Sequence, residues 1–341
     1  MPRVAVVFTG GTISMRHDPA AGGNIPVLGG DALLATVPDL AGIADLVPID
    51  RGLTPASHFT FEALFGIAAA VRDALADPAI DGAVVVQGTD TIEETAFFLD
   101  LLHPGPKPIV VTGAMRSASE AGYDGPANLT AAVRVAASPD VGRADVGAVV
   151  VLGDTIEAAD DVTKTHASAF DTFRALNRGS LGRVDAGGSV VLEAARGPRR
   201  RVDSARAAER VFLVTATVAT DGTPIAALRA AGADGFVVAA TGAGNTSPAL
   251  LEAAVTALAD GLPIVLATRC PIGAAGTGYA FPGGGATWHN AGAILAGHLT
   301  GPKARIALAL GIGAGLDSAA LAALLADPAP IHDPERYWAG N

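Results

Sequence analysis

Two segments of the chain combine glycine with threonine in a way that suits chemistry on a small polar molecule. One is TGGTIS at residues 9–14, and the other is QGTDT at residues 87–91. Glycine lets the backbone approach a ligand closely, while a neighbouring threonine hydroxyl faces that ligand. Each segment alone is equally typical of a turn before a helix, and Asp90 with Glu93 has the spacing of an N-terminal capping box. Taken together, the two segments predict one shared pocket.

A threonine hydroxyl is a poor nucleophile at neutral pH, so it needs a neighbouring base that another polar group holds in place. Lys164 is the candidate, because it follows the strand-like residues 147–152 and is expected at the same edge of the sheet. A lysine acts as a base only when burial lowers its pKa from ~10.4, and a carboxylate such as Asp90 opposes that change. We therefore assign Lys164 to a proton relay, with a surface ion pair to Asp160 or Asp161 as the alternative.

Motifs for phosphate and metal are missing from the sequence. Neither threonine segment has the Gly-Lys-Ser/Thr ending of a P-loop or the G-x-G-x-x-G turn of a dinucleotide site, which argues against a kinase or a dehydrogenase. The glycine-rich residues 273–285 also lack the lysine and are interpreted as a mobile loop, and the arginines at 199–201 as a solvated loop. No histidine pair has metal-ligand spacing. The sequence therefore predicts no metal and no cofactor. The histidines are His17, His58, His103, His166, His289, His298 and His332.

The elements that must position these residues alternate along the chain. Strand-length apolar runs occur at 4–8, 83–86, 109–111, 147–152, 211–215, 235–239 and 263–267. Helical periodicity occurs at 59–76, 92–102, 125–137, 246–259 and 288–297, and again in a tail from Leu316. Continuous β-branched runs indicate strands covered on both faces. The pattern predicts an α/β fold, in which helices flank a larger, mainly parallel N-terminal sheet and a smaller α/β domain follows.

The alternation stops between about 180 and 210, where we predict a hairpin and a linker. The predicted N-terminal domain, which carries the nucleophile and the relay, spans residues 1–195. A linker at 196–210 and a smaller C-terminal α/β domain at 211–341 complete the prediction.

Composition limits the function classes. Of 341 residues, 50% are hydrophobic and 17% charged, so there is enough apolar surface for folded domains. A formal net charge of -11 argues against nucleic acid and anionic membranes as partners. The lone cysteine, Cys270, excludes an intrachain disulfide and fits a reducing cytoplasm. No export signal and no membrane-spanning stretch is expected from the letters.

These motifs resemble the two signature segments of the bacterial-type L-asparaginases, a family that includes glutaminase–asparaginases. The TGGTI at 9–13 and the QGTDTIEET at 87–95 carry the resemblance. VTGAMR at 111–116, DVTK at 161–164 and GAGN at 242–245 extend it over nearly the whole chain in the family's order.

The resemblance implies amide hydrolysis through a covalent acyl-enzyme. Thr12 would be the nucleophile, and Thr89, Lys164 and Asp90 would form the relay. Asp90 would also hold the α-ammonium of the substrate. The family's further substrate-binding positions correspond to Gly11, Ser57, His58, Gly88 and Asn245, with Ser57 for the α-carboxylate, His58 in place of a usual glutamine, and Asn245 contributed by a neighbouring subunit. Backbone N–H groups around Gly11 and Thr89 would receive the oxyanion.

Two departures from the family pattern concern activation of the nucleophile. Many members carry a tyrosine on the loop after the first threonine, where this chain has Ile25. Those members also supply a glutamate from a neighbouring subunit, whereas the matching stretch from Arg269 leads to Tyr279 without a carboxylate.

The sequence thus predicts a cytoplasmic asparaginase of the EC 3.5.1.1 type that releases aspartate and ammonia from L-asparagine. A broader glutaminase–asparaginase, a relative acting on glutaminyl-type tRNA and a silent amino-acid-binding homologue are the alternatives, although the net charge disfavours tRNA. The expected assembly is a homodimer or homotetramer with sites at subunit interfaces. No cofactor, nucleic acid or membrane partner is expected.

Overall fold

A computed structural model describes residues 1–328 of the chain, which divide into two compact units at the Arg199–Arg200 bond. The predicted α/β class is confirmed, with a larger, mostly parallel sheet flanked by helices in the first unit and a smaller parallel sheet in the second.

The strands of the first unit are Arg3–Phe8 (β1), Met15–Asp18 (β2), Gly23–Pro26 (β3), Asp45–Asp50 (β4), Gly82–Val86 (β5), Ile109–Thr112 (β6), Ala148–Leu152 (β7), Thr155–Ala158 (β8), Val162–Lys164 (β9), Phe173–Ala175 (β10), Gly182–Val184 (β11) and Val190–Leu192 (β12). Its helices are Gly30–Leu34 (α1), Phe61–Leu75 (α2), Ile92–Leu102 (α3), Gly125–Ala136 (α4) and Pro139–Arg143 (α5). The hairpin expected after residue 180 is β11–β12.

The main sheet has the order β12-β11-β8-β7-β6-β5-β1-β4. The strands from β4 to β7 run parallel, and β8, β11 and β12 extend the sheet in antiparallel pairs. The chain leaves β1 toward β4 on one side and leaves β5 toward β6 on the other. Connections that diverge in this way open a crevice at the carboxyl ends of the two central strands, where open α/β sheets bind ligands.

Helices cover both faces of this sheet, which is why its central strands are continuous apolar runs. Every residue of β5, β6 and β7 is buried. Leu129 of α4 packs in one core cluster with Val4, Val6 and Phe8 of β1. Helices α2 and α3 contact each other through Phe65 and Phe98, whose rings meet edge to face at 5.0 Å. Burial on both faces fixes the strand positions that carry the threonine segments.

The second unit contains a four-stranded parallel sheet in the order β13-β14-β15-β16. Its strands are Val211–Thr215 (β13), Gly235–Ala240 (β14), Ile264–Thr268 (β15) and Ile294–Leu295 (β16), and its helices are Thr223–Ala230 (α6), Pro248–Ala259 (α7), Gly285–Asn290 (α8), Gly301–Gly313 (α9) and Ser318–Leu325 (α10).

One predicted helix of this unit is wrong. The periodicity at 288–297 spans the end of α8, a turn at Gly292 with a positive φ of 105° and the short strand β16. Helix α9, which the sequence analysis did not predict, is buried along most of its length. A helix that is apolar on nearly every side lacks the periodicity by which an amphipathic helix is found. Residues 329–341 of the predicted C-terminal domain lie outside the described part of the chain.

In the arginine cluster at 199–201, the predicted solvated loop is wrong for Arg199 and Arg200, whereas Arg201 is exposed. In the first unit, the Arg199 guanidinium donates to Asp100 at 2.9 Å and to Asp145 at 2.9 Å. Arg196 donates to the other oxygen of Asp100 at 2.8 Å and to Asp160 at 2.5 Å. The side chains of Arg196, Arg199 and Asp100 are each at most 2% exposed. In the second unit, Arg200 pairs with Asp327. Acidic partners distant in sequence pair with these cations.

Within residues 1–328, no helix combines the length and the apolar character needed to cross a bilayer.

Replacing Asp100 with asparagine is expected to destabilise the first unit by about 3–5 kcal/mol, because it leaves two buried guanidinium groups short of an anion. Urea unfolding at neutral pH measures this loss. The matched control is Asp140→Asn, which removes an exposed ion pair with Arg143 and should cost at most about 1 kcal/mol. Equal losses in the two variants would contradict a stabilising role of the buried cluster.

Candidate active site

The two threonine segments meet at the carboxyl ends of β1 and β5. Gly10 and Gly11 both have positive φ values, of 101° and 94°. A Cβ at Gly11 would overlap the backbone nitrogen and Cα of Gly88, so the two backbones touch where neither has a side chain. The Thr9 amide and hydroxyl both donate to the Val86 carbonyl at 3.0 Å. The convergence that the sequence predicted is therefore present, and it leaves no room for a side chain at Gly11.

Thr12 begins a single 3-10 turn, Thr12–Ser14, directly after this contact. Ser14 closes the turn by donating its N–H to the Gly11 carbonyl at 2.9 Å. Ile13 is fully buried in the core, whereas Thr12 remains partly exposed. The turn thus anchors one residue in the core and leaves the preceding hydroxyl accessible.

Thr89, Asp90 and Lys164 form one hydrogen-bonded group. The Lys164 Nζ donates to Thr89 Oγ1 at 2.9 Å and to Asp90 Oδ1 at 3.0 Å. Thr89 is buried, the Lys164 side chain is 14% exposed, and the Asp90 side chain is 70% exposed. The group therefore runs from an enclosed hydroxyl, through a nearly enclosed ammonium, to a carboxylate that water or a ligand reaches.

Lys164 is placed by contacts that run across the fold. It ends β9, which pairs with β10, and its backbone N–H donates to Glu93 Oε2 at 3.1 Å. This bond corrects the capping-box interpretation, because the Glu93 carboxylate holds β9 and the start of α3 has no side-chain cap.

The alternative of a surface ion pair between Lys164 and its acidic neighbours is also wrong. Asp160 receives Arg178 and Arg196, at 2.7 and 2.5 Å. Asp161 receives the backbone N–H groups of Asn177 and Arg178, at 3.1 and 2.7 Å. Both carboxylates thus stabilise the β9–β10 hairpin and leave the Lys164 ammonium to Thr89 and Asp90.

Ser57 and His58 belong to a short 3-10 turn, Ala56–His58, and both are exposed. Thr91 links this turn to the second threonine segment by donating its hydroxyl to the Ala56 carbonyl at 3.2 Å. The Ala56 side chain also lies over Gly88, where an added Cβ would meet it at 3.0 Å. This turn, with the exposed Ser57 and His58, is thereby held beside the second threonine segment.

Asn245 lies in the second unit, after β14. It closes a tight turn in which its backbone exchanges hydrogen bonds with Thr241, at 2.9 and 3.0 Å. Its side-chain Oδ1 is buried and has no hydrogen-bond partner within residues 1–328.

Support for the site also comes from a segment to which the sequence analysis gave no role. The Asp124 carboxylate accepts the backbone N–H groups of Met115 and Arg116, at 2.9 to 3.1 Å. The Tyr123 hydroxyl donates to the Ile13 carbonyl at 2.8 Å. The motif VTGAMR marked this loop, but no local signal linked Tyr123 to a residue more than a hundred positions away.

In the described chain, no group of three or more His, Cys, Asp or Glu side chains has the arrangement of a metal site. His332 lies outside the described residues. Thr89, Lys164 and Asp90 bring a hydroxyl, an ammonium and a carboxylate together at this site.

Known proteins resemble the chain over nearly its whole length. Residues 3–196 match the family description "Asparaginase, N-terminal", and residues 210–325 match "Glutaminase/Asparaginase C-terminal domain". A "Probable L-asparaginase" of Deinococcus radiodurans is 39% identical over 90% of this chain and 92% of its own length. A "Probable L-asparaginase periplasmic" of Haemophilus influenzae is 31% identical over 92% and 89%. The crystal structure of a "Probable Cytoplasmic L-asparaginase" from Campylobacter jejuni superposes with a TM-score of 0.83, at 27% identity, over 95% of this chain and 99% of that chain.

Gly11→Ala is expected to cost about 3 kcal/mol or more, because a Cβ there would overlap Gly88 and because φ lies in a region that alanine rarely adopts. Urea unfolding of the variant measures the loss. Gly23→Ala is the control, since a Cβ at Gly23 in β3 meets no atom within 4 Å. Similar stability of the two variants would contradict the close approach of the two segments.

Proposed function

The chain belongs to the bacterial-type L-asparaginase family, and from that premise we propose that it hydrolyses the side-chain amide of L-asparagine to L-aspartate and ammonia through a threonine acyl-enzyme. The enzyme class, an asparaginase-type amidohydrolase, follows from the matched domains and relatives. One observation carries the mechanism: the Lys164 ammonium donates hydrogen bonds to both Thr89 and Asp90, next to the segment that contains Thr12.

In the proposed reaction, the Thr12 hydroxyl oxygen attacks the carboxamide carbon. Backbone N–H groups around Gly11 and Thr89 stabilise the oxyanion, which is usually among the largest contributions to acyl transfer. The C–N bond then breaks, and the proton that Thr12 lost leaves with the nitrogen as ammonia. In this proposal Lys164 takes that proton as a neutral amine through the Thr89 hydroxyl, becomes the ammonium that donates to Thr89 and Asp90, and returns the proton to the leaving nitrogen.

The second half of the reaction returns the enzyme to its starting state. A water molecule, positioned by the same pair, adds to the ester carbon. The ester C–O bond breaks, the Thr12 oxygen recovers a proton from the water, and aspartate leaves. Asp90 assists as the carboxylate that orients Lys164.

The exposed residues around the relay suit an amino-acid substrate. Asp90 gives one carboxylate oxygen to Lys164 and is otherwise accessible, so it is our candidate for the α-ammonium of the substrate. Ser57 and His58 lie on the neighbouring turn and present a hydroxyl and an imidazole for the α-carboxylate. The α-ammonium of an amino acid would thus be bound by Asp90, and the α-carboxylate on the same carbon by Ser57 and His58.

A second candidate is a broader glutaminase–asparaginase, because one methylene gives only about 1–3 kcal/mol of discrimination. A silent binding protein is the candidate from another class, and Ile25 favours it. Ile25 pairs with Arg16 in the β2–β3 hairpin and offers no hydroxyl to Thr12. The intact Thr89–Lys164–Asp90 group supports turnover. A protein that only binds an amino acid does not need a buried hydroxyl that accepts a hydrogen bond from an ammonium.

We also propose the cytoplasm as its location. The lone Cys270 and the name of the Campylobacter jejuni structure support this, whereas the name of the Haemophilus influenzae relative places that protein in the periplasm.

Purified protein is expected to release ammonia from L-asparagine, and Thr12→Ala and Thr89→Ala are each expected to lower kcat by at least about 10³-fold without loss of fold. An ammonia assay over L-asparagine, L-glutamine and their D-forms ranks the substrates. Thr256→Ala is the matched control, since that hydroxyl is exposed on α7 of the second unit and bonds only within its helix, to the Glu252 carbonyl. Binding of aspartate without turnover of any amide would instead support the silent homologue.

The proposed assembly is a homodimer or homotetramer in which Asn245 of one subunit completes the site of another. Its unpartnered Oδ1 is an acceptor that a substrate ammonium would satisfy. Sedimentation velocity at micromolar concentration is expected to show oligomers, and Asn245→Ala to raise KM at unchanged oligomer size. Monomers that keep full activity would contradict this assembly.

A further inference from the structure

We propose that Tyr123 is a positioning residue for Thr12, acting through the hydrogen bond from its hydroxyl to the Ile13 carbonyl. The two atoms are 2.8 Å apart, although the residues are 110 positions apart in the chain. The inference rests on the proposed role of Thr12 as the nucleophile. It assigns to Tyr123 the task of fixing the turn from which Thr12 attacks.

The turn needs such an anchor because its leading residues are glycines. Gly10 and Gly11 have no side chains to pack, and glycine has more backbone freedom than any other residue. The contact of Gly11 with Gly88 limits how closely the two segments approach but does not set the rotation of the following peptide groups. The Ile13 side chain anchors the turn in the core, and the Tyr123 hydroxyl holds the carbonyl of Ile13 by a hydrogen bond.

The bond from Tyr123 continues through the backbone to Thr12. The Tyr123 hydroxyl donates to the Ile13 carbonyl, and the N–H of that same peptide group belongs to Ser14. The Ser14 N–H in turn donates to the Gly11 carbonyl at 2.9 Å. That carbonyl and the Thr12 N–H belong to the same peptide group. Hydrogen bonds in a chain polarise and orient one another. Removing the phenol oxygen therefore releases the Ile13–Ser14 peptide group, whose N–H orients the Gly11–Thr12 peptide group directly before the Thr12 side chain.

Tyr123 is itself held in one position. Its ring lies over Gly125, where a Cβ would overlap the phenol oxygen and the ring carbons. Its backbone N–H donates to the Glu120 carbonyl at 3.2 Å. The next residue, Asp124, receives the N–H groups of Met115 and Arg116. An anchor fixed on both sides can transmit its position to the turn.

The same loop holds the chain beyond Thr12 at two further points. The Ala118 N–H donates to the Met15 carbonyl at 3.1 Å, and the His17 N–H donates to Ser119 Oγ at 3.0 Å. Together with Tyr123, these contacts reach residues 13, 15 and 17, every second position after the nucleophile. Tyr123 makes the contact that lies nearest to Thr12.

The phenol also remains a donor under all working conditions. Burial, with a smaller contribution from the Asp124 carboxylate, raises the pKa of Tyr123 to about 12. The hydroxyl consequently keeps its proton, and with it the bond to Ile13, wherever the enzyme would act.

Tyr123→Phe removes only the hydroxyl and is expected to lower kcat for L-asparagine about 10- to 100-fold, with KM within about twofold of the native value. Misplacement of a reacting group by about 1 Å costs up to ~100-fold in rate. KM is spared because Asp90 and Ser57, the proposed substrate contacts, are untouched.

The matched control is Thr130→Val, which removes a hydroxyl donated at 2.8 Å to the Pro126 carbonyl within α4. Each variant loses one hydroxyl-to-carbonyl bond in the same part of the fold, so comparable melting temperatures are expected, but only Tyr123→Phe should lose turnover. Unchanged kcat in Tyr123→Phe, or an equal loss of kcat in Thr130→Val, would overturn the proposal.

A covalent probe separates this inference from the proposed function. An analogue of asparagine with a diazoketone in place of the carboxamide alkylates a hydroxyl nucleophile as nitrogen leaves, and peptide mass spectrometry locates the modified residue. Thr12 is expected to be modified in the native protein, at a rate reduced about as much as kcat in Tyr123→Phe. Modification of Thr12 at equal rates in both proteins would overturn the role of Tyr123 alone. Modification elsewhere, or none, would overturn the proposed nucleophile and with it this inference.

Discussion

The site depends on the contact between two backbones that carry no side chains where they meet. Gly11 lies against Gly88, and a single added carbon on the first would overlap the second. Parallel neighbouring strands bring β1 and β5 to within hydrogen-bonding distance, but the loops beyond them diverge unless something keeps them together. Glycine at position 11 allows the loops to stay in contact three residues beyond the end of β1 and two residues beyond the end of β5, where Gly11 lies against Gly88. The threonines Thr12 and Thr89 follow immediately, so their nearness is a consequence of this contact.

Electrostatic pairing then determines which partner the Lys164 ammonium receives. Several carboxylates lie near Lys164 in sequence, and each would attract it if it were free. Asp160 is instead neutralised by Arg196 and Arg178, and the Asp161 oxygens are occupied by backbone N–H groups. The buried cluster that includes Arg196 therefore stabilises the first unit and also leaves Asp90 as the carboxylate for Lys164. Stability and selectivity of pairing come from the same ion pairs.

Strands and motif residues could be predicted from the sequence, because local patterns encode them. The roles of side chains that bond to residues distant in the chain could not. Valine-rich runs placed the central strands to within a residue or two, because burial on both faces leaves a continuous apolar signal. The Gly-Thr segments and Lys164 were identified from residue type and family resemblance. Glu93 was misassigned because its spacing from Asp90 is that of a cap, whereas its carboxylate bonds to a strand 71 positions away. Arg199 was misassigned because its partner Asp100 is 99 positions away. Helix α9 escaped because burial on nearly all sides removes the helical period.

The proposed roles of Thr12 and Tyr123 are compatible with isoleucine at position 25, where many members of the family carry a loop tyrosine. A tyrosine on the loop beyond the nucleophile would have to order that loop before acting on Thr12. In this chain the segment is already ordered as the β2–β3 hairpin, in which Ile25 pairs with Arg16 as one rung. The Tyr123 hydroxyl reaches this turn from a loop that contacts of Asp124 and Gly125 hold in place. The Tyr123 phenol donates its proton to the Ile13 carbonyl, and this bond orients the peptide group. Because the phenol is a donor there, it does not remove the proton of the Thr12 hydroxyl directly. Orientation would thus come from the phenol, and proton transfer would fall to Thr89 and Lys164. Dividing the two tasks in this way removes the need for one mobile side chain to perform both.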